Sequence, residues 1–414
     1  MSGMRTVRGT RDLLPEDSRR LRMVEERAWQ AARRCGYGEF STPIFEFTDV
    51  FARTLGDTSD VVTKEMYTFE DRGGDSLTLR PENTAGIVRA FLSNKLAQRL
   101  PLRVFYRGPM FRYERPQKGR LRQFHQVGVE LLGVADPLAD AEVITLADDF
   151  LSTLGLASAP VLEINTLGDT ASRAVYRERL VDYLEQRRDR LSADSLARLE
   201  RNPLRVLDSK DAADKDVVAE APMLSESLTD EARRFFDAVL SGLAGAGISW
   251  RLNTRLVRGL DYYCHTTFEF VSDALGAQGT VLAGGRYDGL VEQMGGPSTP
   301  GVGWAAGVER LMMLAGADAT ALRPVAMIAL GPEQGGAAMR LARQLRAQGH
   351  VVELAFGNSL GKQLKWANKA NARLAVIIGS NELAREVAAV RDLDAGAQEE
   401  VPLSLLGERL AQTA

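Results

Sequence analysis

The sequence predicts an α+β fold: a core built on an antiparallel sheet, a helical insertion that interrupts it, and a C-terminal α/β domain. Three observations carry this. Residues 102–132 read as two strands around a charged loop, with apolar side chains on alternate positions. Strand patterns vanish over residues 166–247, where helical periodicity rich in Arg, Glu and Asp takes over. Beyond Arg323-Pro324 the pattern becomes βαβαβ. The expected divisions are 1–165 and 248–323 for the two parts of the core, 166–247 for the insertion and 324–414 for the last domain.

Composition narrows the class. A hydrophobic content of 45% with 26% charged residues is that of a globular chain able to bury a sizeable core. No apolar run is long enough for a bilayer and no signal-peptide pattern opens the sequence, so a cytoplasmic protein without a membrane segment is expected. Cys35 and Cys264 alone cannot make a disulfide framework or a cysteine zinc cluster, and His125, His265 and His350 are scattered; no protein-held metal is expected. The net charge of −3 argues against a general nucleic-acid coat. Local balance differs: between Arg103 and Arg122 seven basic residues face one acid, Glu114, which suits a polyanionic ligand or a solvated charged face.

Pro15 and the acids after it, Arg33 and Arg34 near the end and Gly36 as a stop delimit a helix over residues 16–34. In GYGEFSTPIFEFTDVF, Pro43 excludes a central strand and leaves an edge or a bend. Its aromatics suit a subunit interface or ordinary core packing. Residues 75–89 run from a short strand through Arg80-Pro81 into a helix, with Glu82, Asn83 and Thr84 at the turn, where they can face a cleft or cap the helix. In the hairpin, Gln126, Gly128 and Glu130 share one face of the return strand, and Arg112 shares a face with Met110 and Glu114 on the outgoing one. With Arg112, Gln126 and Glu130 on one side and a glycine gap between the last two, the sheet reads as a floor for a small zwitterion and a phosphate, or else as a solvated hairpin face. A helix over residues 136–154 follows, then the insertion, with a loop at 202–216.

Strand signals return at residues 249–257, with RGLDYY (258–263) at their end, then at 266–271 and 279–282, the latter running into Gly284-Gly285-Arg286-Tyr287-Asp288. Gly301 and Gly303 share a strand face and leave a flat slot, and a helix carrying Arg310 begins near Gly307. In the last domain, strands at 325–330, 351–354 and 374–378 alternate with helices at 335–348 and 360–370, and a helix at 403–411 closes it. Lys362, Lys365 and Lys369 share a helix face with Trp366 beside them, as a solvated face or a surface for RNA bases.

Several segments resemble those of the histidyl-tRNA synthetases, class II aminoacyl-tRNA synthetases, over essentially the whole chain. GYGEFSTPIFEFTDVF resembles the first class II signature, which contributes to a dimer interface; FRYERPQKGRLRQFHQ resembles the second and GVGWAAGVERL the third. RGLDYY and GGRYDGL resemble the two histidine-specific signatures. The resemblance implies a class II synthetase-like core with an anticodon-binding C-terminal domain. It implies activation of L-histidine by ATP, accompanied by Mg²⁺, to histidyl-adenylate, transfer to tRNA(His), and a homodimer. It implies roles residue by residue: Arg112 at the ATP α-phosphate, Arg310 against the ATP, Arg120 at the outer phosphates; Glu82 and Thr84, with Asn83 between them, at the substrate ammonium; Gln126 at the backbone end of the amino acid; Glu130, Tyr262 and Tyr263 around the imidazole; and Arg258, with Arg112, as the catalytic pair. Gln117, Lys362, Lys365 and Lys369 are the candidate tRNA contacts. Asn83 stands where many relatives have a small residue, and Cys264-His265 follow RGLDYY where others vary. A synthetase-like regulatory subunit of ATP phosphoribosyltransferase is the leading alternative. It is disfavoured because such subunits tend to lose the catalytic arginines or the last domain, all present here. An RNA-binding protein without catalysis leaves Gln126, Glu130 and Arg258 unexplained.

Overall fold

The computed structural model describes residues 4–55, 61–209, 211–257, 262–316, 323–357 and 359–412. The chain divides into two compact units, 1–316 and 317–414. The first is organised by an eight-stranded sheet in the order Gly38–Glu39, Leu102–Phe111, Gln123–Leu132, Gly301–Gly307, Thr280–Arg286, Cys264–Val271, Val161–Thr166, Arg251–Leu252. Its six inner strands are antiparallel; only the two-residue strands at the edges pair parallel with their neighbours. The expected hairpin forms, with Leu102 opposite Leu132 and Phe111 opposite Gln123.

Alternation then sorts the side chains. Val127, Val129 and Leu131 point with Phe105 and Trp304 into one large apolar core. Trp304 stacks on Phe150 at 5.9 Å and donates its indole N–H to the Val143 carbonyl at 3.1 Å. Helices Pro15–Arg34, Pro137–Ser152 and Val308–Leu314 pack onto that core. The first has Pro15 in its opening turn, Arg33 and Arg34 in its last, and Gly36 beyond it at φ +79°, a conformation glycine adopts without a steric penalty. The opposite sheet face carries Tyr106, Gly128, Glu130 and Gly303 and is left for the site.

In the first unit, besides the two-residue edge Gly38–Glu39, two strands escape sequence patterning: Tyr67–Glu70, which builds a three-stranded sheet with Ser76–Leu79 and Phe45–Phe47, and Val161–Thr166 in the main sheet. Phe45–Phe47, just after Pro43, is an edge strand of that small sheet. Two expectations are corrected. The strand over 249–257 shrinks to Arg251–Leu252, because the Asn253 N–H goes to the Ile164 carbonyl and the chain turns, Leu256 N–H closing on the Asn253 carbonyl at 2.9 Å. Helix Asp230–Gly245 does not pack with the other helices of the insertion: Phe236, Val239 and Leu243 join the core of the main sheet. The remaining helices, Thr170–Glu185, Ala193–Arg201 and Lys215–Ala219, enclose a core of their own around Tyr176, Leu180, Leu184, Val206 and Val217.

In the second unit, Val352–Leu354, Val325–Ala329 and Leu374–Ile378 are parallel and joined by helices, as the period requires. Val387–Asp392 and Gln398–Pro402 then extend the sheet antiparallel, a hairpin not read from the sequence. Asp392 makes its turn, Oδ1 accepting from the N–H groups of Asp394 and Ala395 at 2.8 Å, with Gly396 at φ +72°.

Candidate active site

A cleft of about 290 Å³ opens on the free face of the main sheet. Its floor is Glu130, only 1% exposed. The carboxylate accepts from the Thr84 hydroxyl at 2.7 Å and from the Tyr287 hydroxyl. Burial drives its pKa up to about 8; the bonds from Tyr287 and Thr84 restrain that rise and the neighbouring Glu82 adds to it. The strand glycines explain how so much fits beneath one strand. A Cβ at Gly303 would sit 1.9 Å from a Glu130 oxygen, and one at Gly301 would sit 2.3 Å from the Tyr287 ring. The gap at Gly128, between Gln126 and Glu130, is filled by Tyr106, whose ring would be 2.4 Å from a Cβ there. These glycines therefore admit side chains of the protein, where the sequence suggested room for a ligand.

Glu82 is buried and performs the capping expected of Asn83 or Thr84: its oxygens accept from the N–H groups of Thr84 and Ala85 at 2.6 and 3.0 Å. Burial nevertheless raises its pKa, against those bonds and the attraction of Arg112. Asn83 is turned out of the cleft. Its Oδ1 accepts from the Thr42 hydroxyl at 2.6 Å and from Arg80 at 3.3 Å, locking the turn from behind. Of the expected residues, Glu82, Thr84, Gln126, Glu130, Tyr262 and Tyr263 all line the cleft and Asn83 does not. Gln126 presents an Oε1 with no partner among the described residues. Tyr262 packs against Tyr263 at 4.6 Å and edge-on to Tyr287 at 5.7 Å.

Cations form the opposite wall. Arg112 is aimed by its Nε–H to the Pro81 carbonyl, 2.9 Å, and by the Phe124 ring 5.3 Å from its guanidinium. Arg120 pairs with Glu114 at 2.6 Å. Arg310 donates to the carbonyls of Gly119 and Thr280 at 3.0 and 2.7 Å; burial and the nearby Arg120 lower its pKa. All three line the cleft. Arg258 lies outside the described residues. Gln117 is exposed in the hairpin loop, bridged through its backbone to Arg120, and lies off the cleft. Lys362, Lys365 and Lys369 are exposed on helix Leu360–Lys369 of the second unit. Trp366, beside them, is half-buried against the domain core.

Sequence reasoning missed Tyr106, Glu114, Glu269, Tyr287 and Glu309 as cleft or floor residues. A signal for Tyr287 lay in GGRYDGL. Arg286 beside it is fully buried, paired with Asp140 and with Asp288, so that strand end is fixed by charge. Together the cleft can hold a polyanion against three arginines and offer a buried carboxylate to an N–H donor.

An antiparallel sheet whose cleft has arginines along one wall and a buried carboxylate at its floor, followed by a separate α/β unit, is a class II aminoacyl-tRNA synthetase architecture. A family model described as histidyl-tRNA synthetase matches residues 9–311, and one described as anticodon binding domain matches 324–413. The chain is 60% identical to the histidine–tRNA ligase of Rhodospirillum rubrum over 413 residues, covering 100% of each. It is 56% identical to that of Gluconacetobacter diazotrophicus over 99% of each. It superposes on the crystal structure of apo S. aureus histidyl-tRNA synthetase with a TM-score of 0.83 and 33% identity, covering 98% of this chain and 99% of that one. The chain belongs to the histidyl-tRNA synthetase family.

Proposed function

We propose that the chain activates L-histidine with ATP to histidyl-adenylate and pyrophosphate, then transfers the histidyl group to the 3′ end of tRNA(His), as a cytoplasmic homodimer. The observation that carries this reading is the buried Glu130 carboxylate, held by Thr84 and Tyr287 under a cleft walled by Arg112, Arg120 and Arg310. In the first step the histidine carboxylate attacks the α-phosphorus and pyrophosphate leaves. No protein nucleophile is required; two anions must be brought together and the charge of the phosphorane offset. Arg112 takes the α-phosphate, Arg310 lies against the nucleotide and Arg120 reaches the outer phosphates. To Arg258 the sequence signature alone assigns the histidine carboxylate. Guanidinium groups suit this work because they remain charged and present a planar fork to oxyanions. Mg²⁺ enters with ATP as part of the substrate, and the oxygen donors at hand for it are Glu114 and Glu269 on the cleft wall. In the second step a ribose hydroxyl of the tRNA end attacks the acyl carbon and AMP leaves.

Glu82 and Thr84 receive the ammonium group, Gln126 the backbone end of the amino acid, and Glu130, Tyr262 and Tyr263 the imidazole. An amino acid without a side-chain N–H would leave the charge of Glu130 with only the neutral donors Thr84 and Tyr287 in a dry site, a loss that supports strong discrimination without editing. Residues 1–165 and 248–323, joined by helix Asp230–Gly245, form the catalytic core; residues 324–414 read the anticodon, with Lys362, Lys365 and Lys369 on tRNA phosphates, and Gln117 of the hairpin loop is a further tRNA contact. Phe45 and Phe47, 48% and 58% exposed in the first signature segment, offer an apolar edge to a second copy. The test is pyrophosphate exchange into ATP with each of the twenty amino acids. Histidine alone should support it; exchange driven by another amino acid, or by none, overturns the reading.

A further inference from the structure

Among the described residues the helical insertion does not line the cleft, yet it holds Tyr263, which does, and Arg255 and Val257 upstream of it. Its own base is closed: the Thr229 hydroxyl donates to Asp169 at 2.6 Å, and the Thr229 N–H to the Ser172 hydroxyl at 2.9 Å. One turn into helix Thr170–Glu185, Arg173 donates to the backbone carbonyl of Tyr263 at 2.8 Å. On the other side, Arg255 donates to the carbonyls of Ala219 and Ala221, both at 2.8 Å. Ala219 ends helix Lys215–Ala219, where carbonyls lack intrahelical partners and a cation is favoured. Val257 packs against the insertion core and against the cluster that contains Tyr262, Tyr263 and Tyr287. The core contributes a weaker hold, the Asn165 side chain donating to the Leu256 carbonyl at 3.0 Å.

We infer that Arg173 and Arg255 are positioning residues through which the helical insertion fixes Tyr262 and Tyr263 in the amino-acid pocket. Neither arginine touches the cleft. Arg173 acts through the backbone of Tyr263 and Arg255 through Val257, which packs against the same cluster; ring contacts lead on from Tyr263 to Tyr262 and to Tyr287, which bonds Glu130. The insertion thereby acts on the histidine half of the site and not on the nucleotide half, whose arginines are held by Pro81, Gly119 and Thr280. This rests on the proposed histidine pocket.

The test uses the full chain, with two readouts. Steady-state pyrophosphate exchange in Arg173→Ala should show a histidine KM raised roughly tenfold, the weight of one charge-assisted hydrogen bond, with ATP KM within about twofold of the parent. Arg173→Lys, which still offers an N–H to the carbonyl, should recover most of the loss. Arg179→Ala, on the same helix and paired at the surface with Glu226, should change neither constant. Amide hydrogen exchange over residues 262–266 should quicken several-fold in Arg173→Ala and stay at the parent rate in Arg179→Ala. Arg255→Ala should move both readouts the same way and replaces Arg173→Ala if that variant fails to fold. An unchanged histidine KM with unchanged amide exchange overturns the inference, as does an equal rise in ATP KM. If the parent shows no histidine-dependent exchange while amide exchange still responds as described, the functional reading falls and the clamp stands.

Discussion

The two units handle charge in opposite ways. The first buries Arg80, Glu82, Glu130, Asp140, Asp214, Arg286 and Glu309, while among the described residues of the second no Asp, Glu, Lys or Arg is buried. The second core is aliphatic, built from Val325, Met327, Val376, Ile378 and Val390, and its lysines stand in solvent. Buried charge is costly unless it is paired and hydrogen-bonded. The first unit meets that cost around a cleft where charge must be placed to a fraction of an ångström. The second, proposed to hold RNA through phosphates, presents its lysines exposed on one helix. The difference separates a site that performs charge chemistry from a surface that needs only attraction.

The largest expected effect tests the buried charge itself. Arg286→Met leaves Asp140 unpaired at 0% exposure and should cost about 3–5 kcal/mol in the first urea transition. A double variant that also carries Asp140→Leu should recover part of that loss, since no orphan charge remains. An undiminished midpoint in the single variant would show that the pair is not a structural necessity.

Next in size, Glu130→Ala should depress histidine-dependent pyrophosphate exchange by at least about 100-fold while ATP binding changes little. Turnover within a few-fold of the parent would remove Glu130 from the imidazole site. The same residue sets a pH trend. Its folded pKa is raised to about 8, so between the ordinary carboxylate range and that value the folded chain keeps a proton that the unfolded chain releases. The ligand-free protein should therefore lose stability as pH rises from about 5 to about 8, with Glu82 and Asp140, also raised by burial, acting in the same direction. Glu130→Gln should flatten that slope in Tm measured across the window, and an identical slope would place the proton elsewhere.

A smaller effect is expected on the other side of the comparison. Replacing Lys362, Lys365 and Lys369 with Ala should leave exchange intact, raise the tRNA KM of histidylation by roughly tenfold, and reduce the salt dependence of charging by up to about three phosphate contacts. Loss of exchange in this variant would mean that the second unit supports the catalytic fold. The smallest effect is expected at Arg385–Glu400, an exposed pair across the antiparallel extension, whose removal should not shift Tm measurably.

What could be read from the sequence followed the range of the interaction. The hairpin was legible because alternation along Gln123–Leu132 is local, and helix Pro15–Arg34 because Pro15, Arg33, Arg34 and Gly36 mark both ends within the segment itself. Strand Tyr67–Glu70 was not, since its residues are mostly exposed and one side of its sheet faces solvent. Gly128, Gly301 and Gly303 were legible as close approaches, but what approaches is Tyr106, Tyr287 and Glu130, brought from other strands or across a turn. Of the cleft residues, Glu82, Thr84, Arg112, Arg120, Gln126, Glu130, Tyr262, Tyr263 and Arg310 were singled out beforehand. Asn83 shared their segment and not their direction, because its side chain satisfies Thr42 and Arg80 behind the turn. Trp366 sits on a lysine-bearing helix yet turns toward the core, an orientation fixed by contacts with the sheet beneath it.

Gly303 has a consequence for how this pocket can change over generations. A methyl group there meets two obstacles: the Glu130 carboxylate at 1.9 Å and the backbone oxygen of Val129 at 2.3 Å. A substitution at Glu130 removes the first; nothing in the side-chain alphabet removes the second. No suppressor at the neighbouring acid can therefore license an alanine at 303, and the two positions are not free to drift as a compensating pair. Variation toward a different amino acid has its open routes at Glu130, Tyr287 and Thr84, while 303 stays glycine on every path between functional sequences.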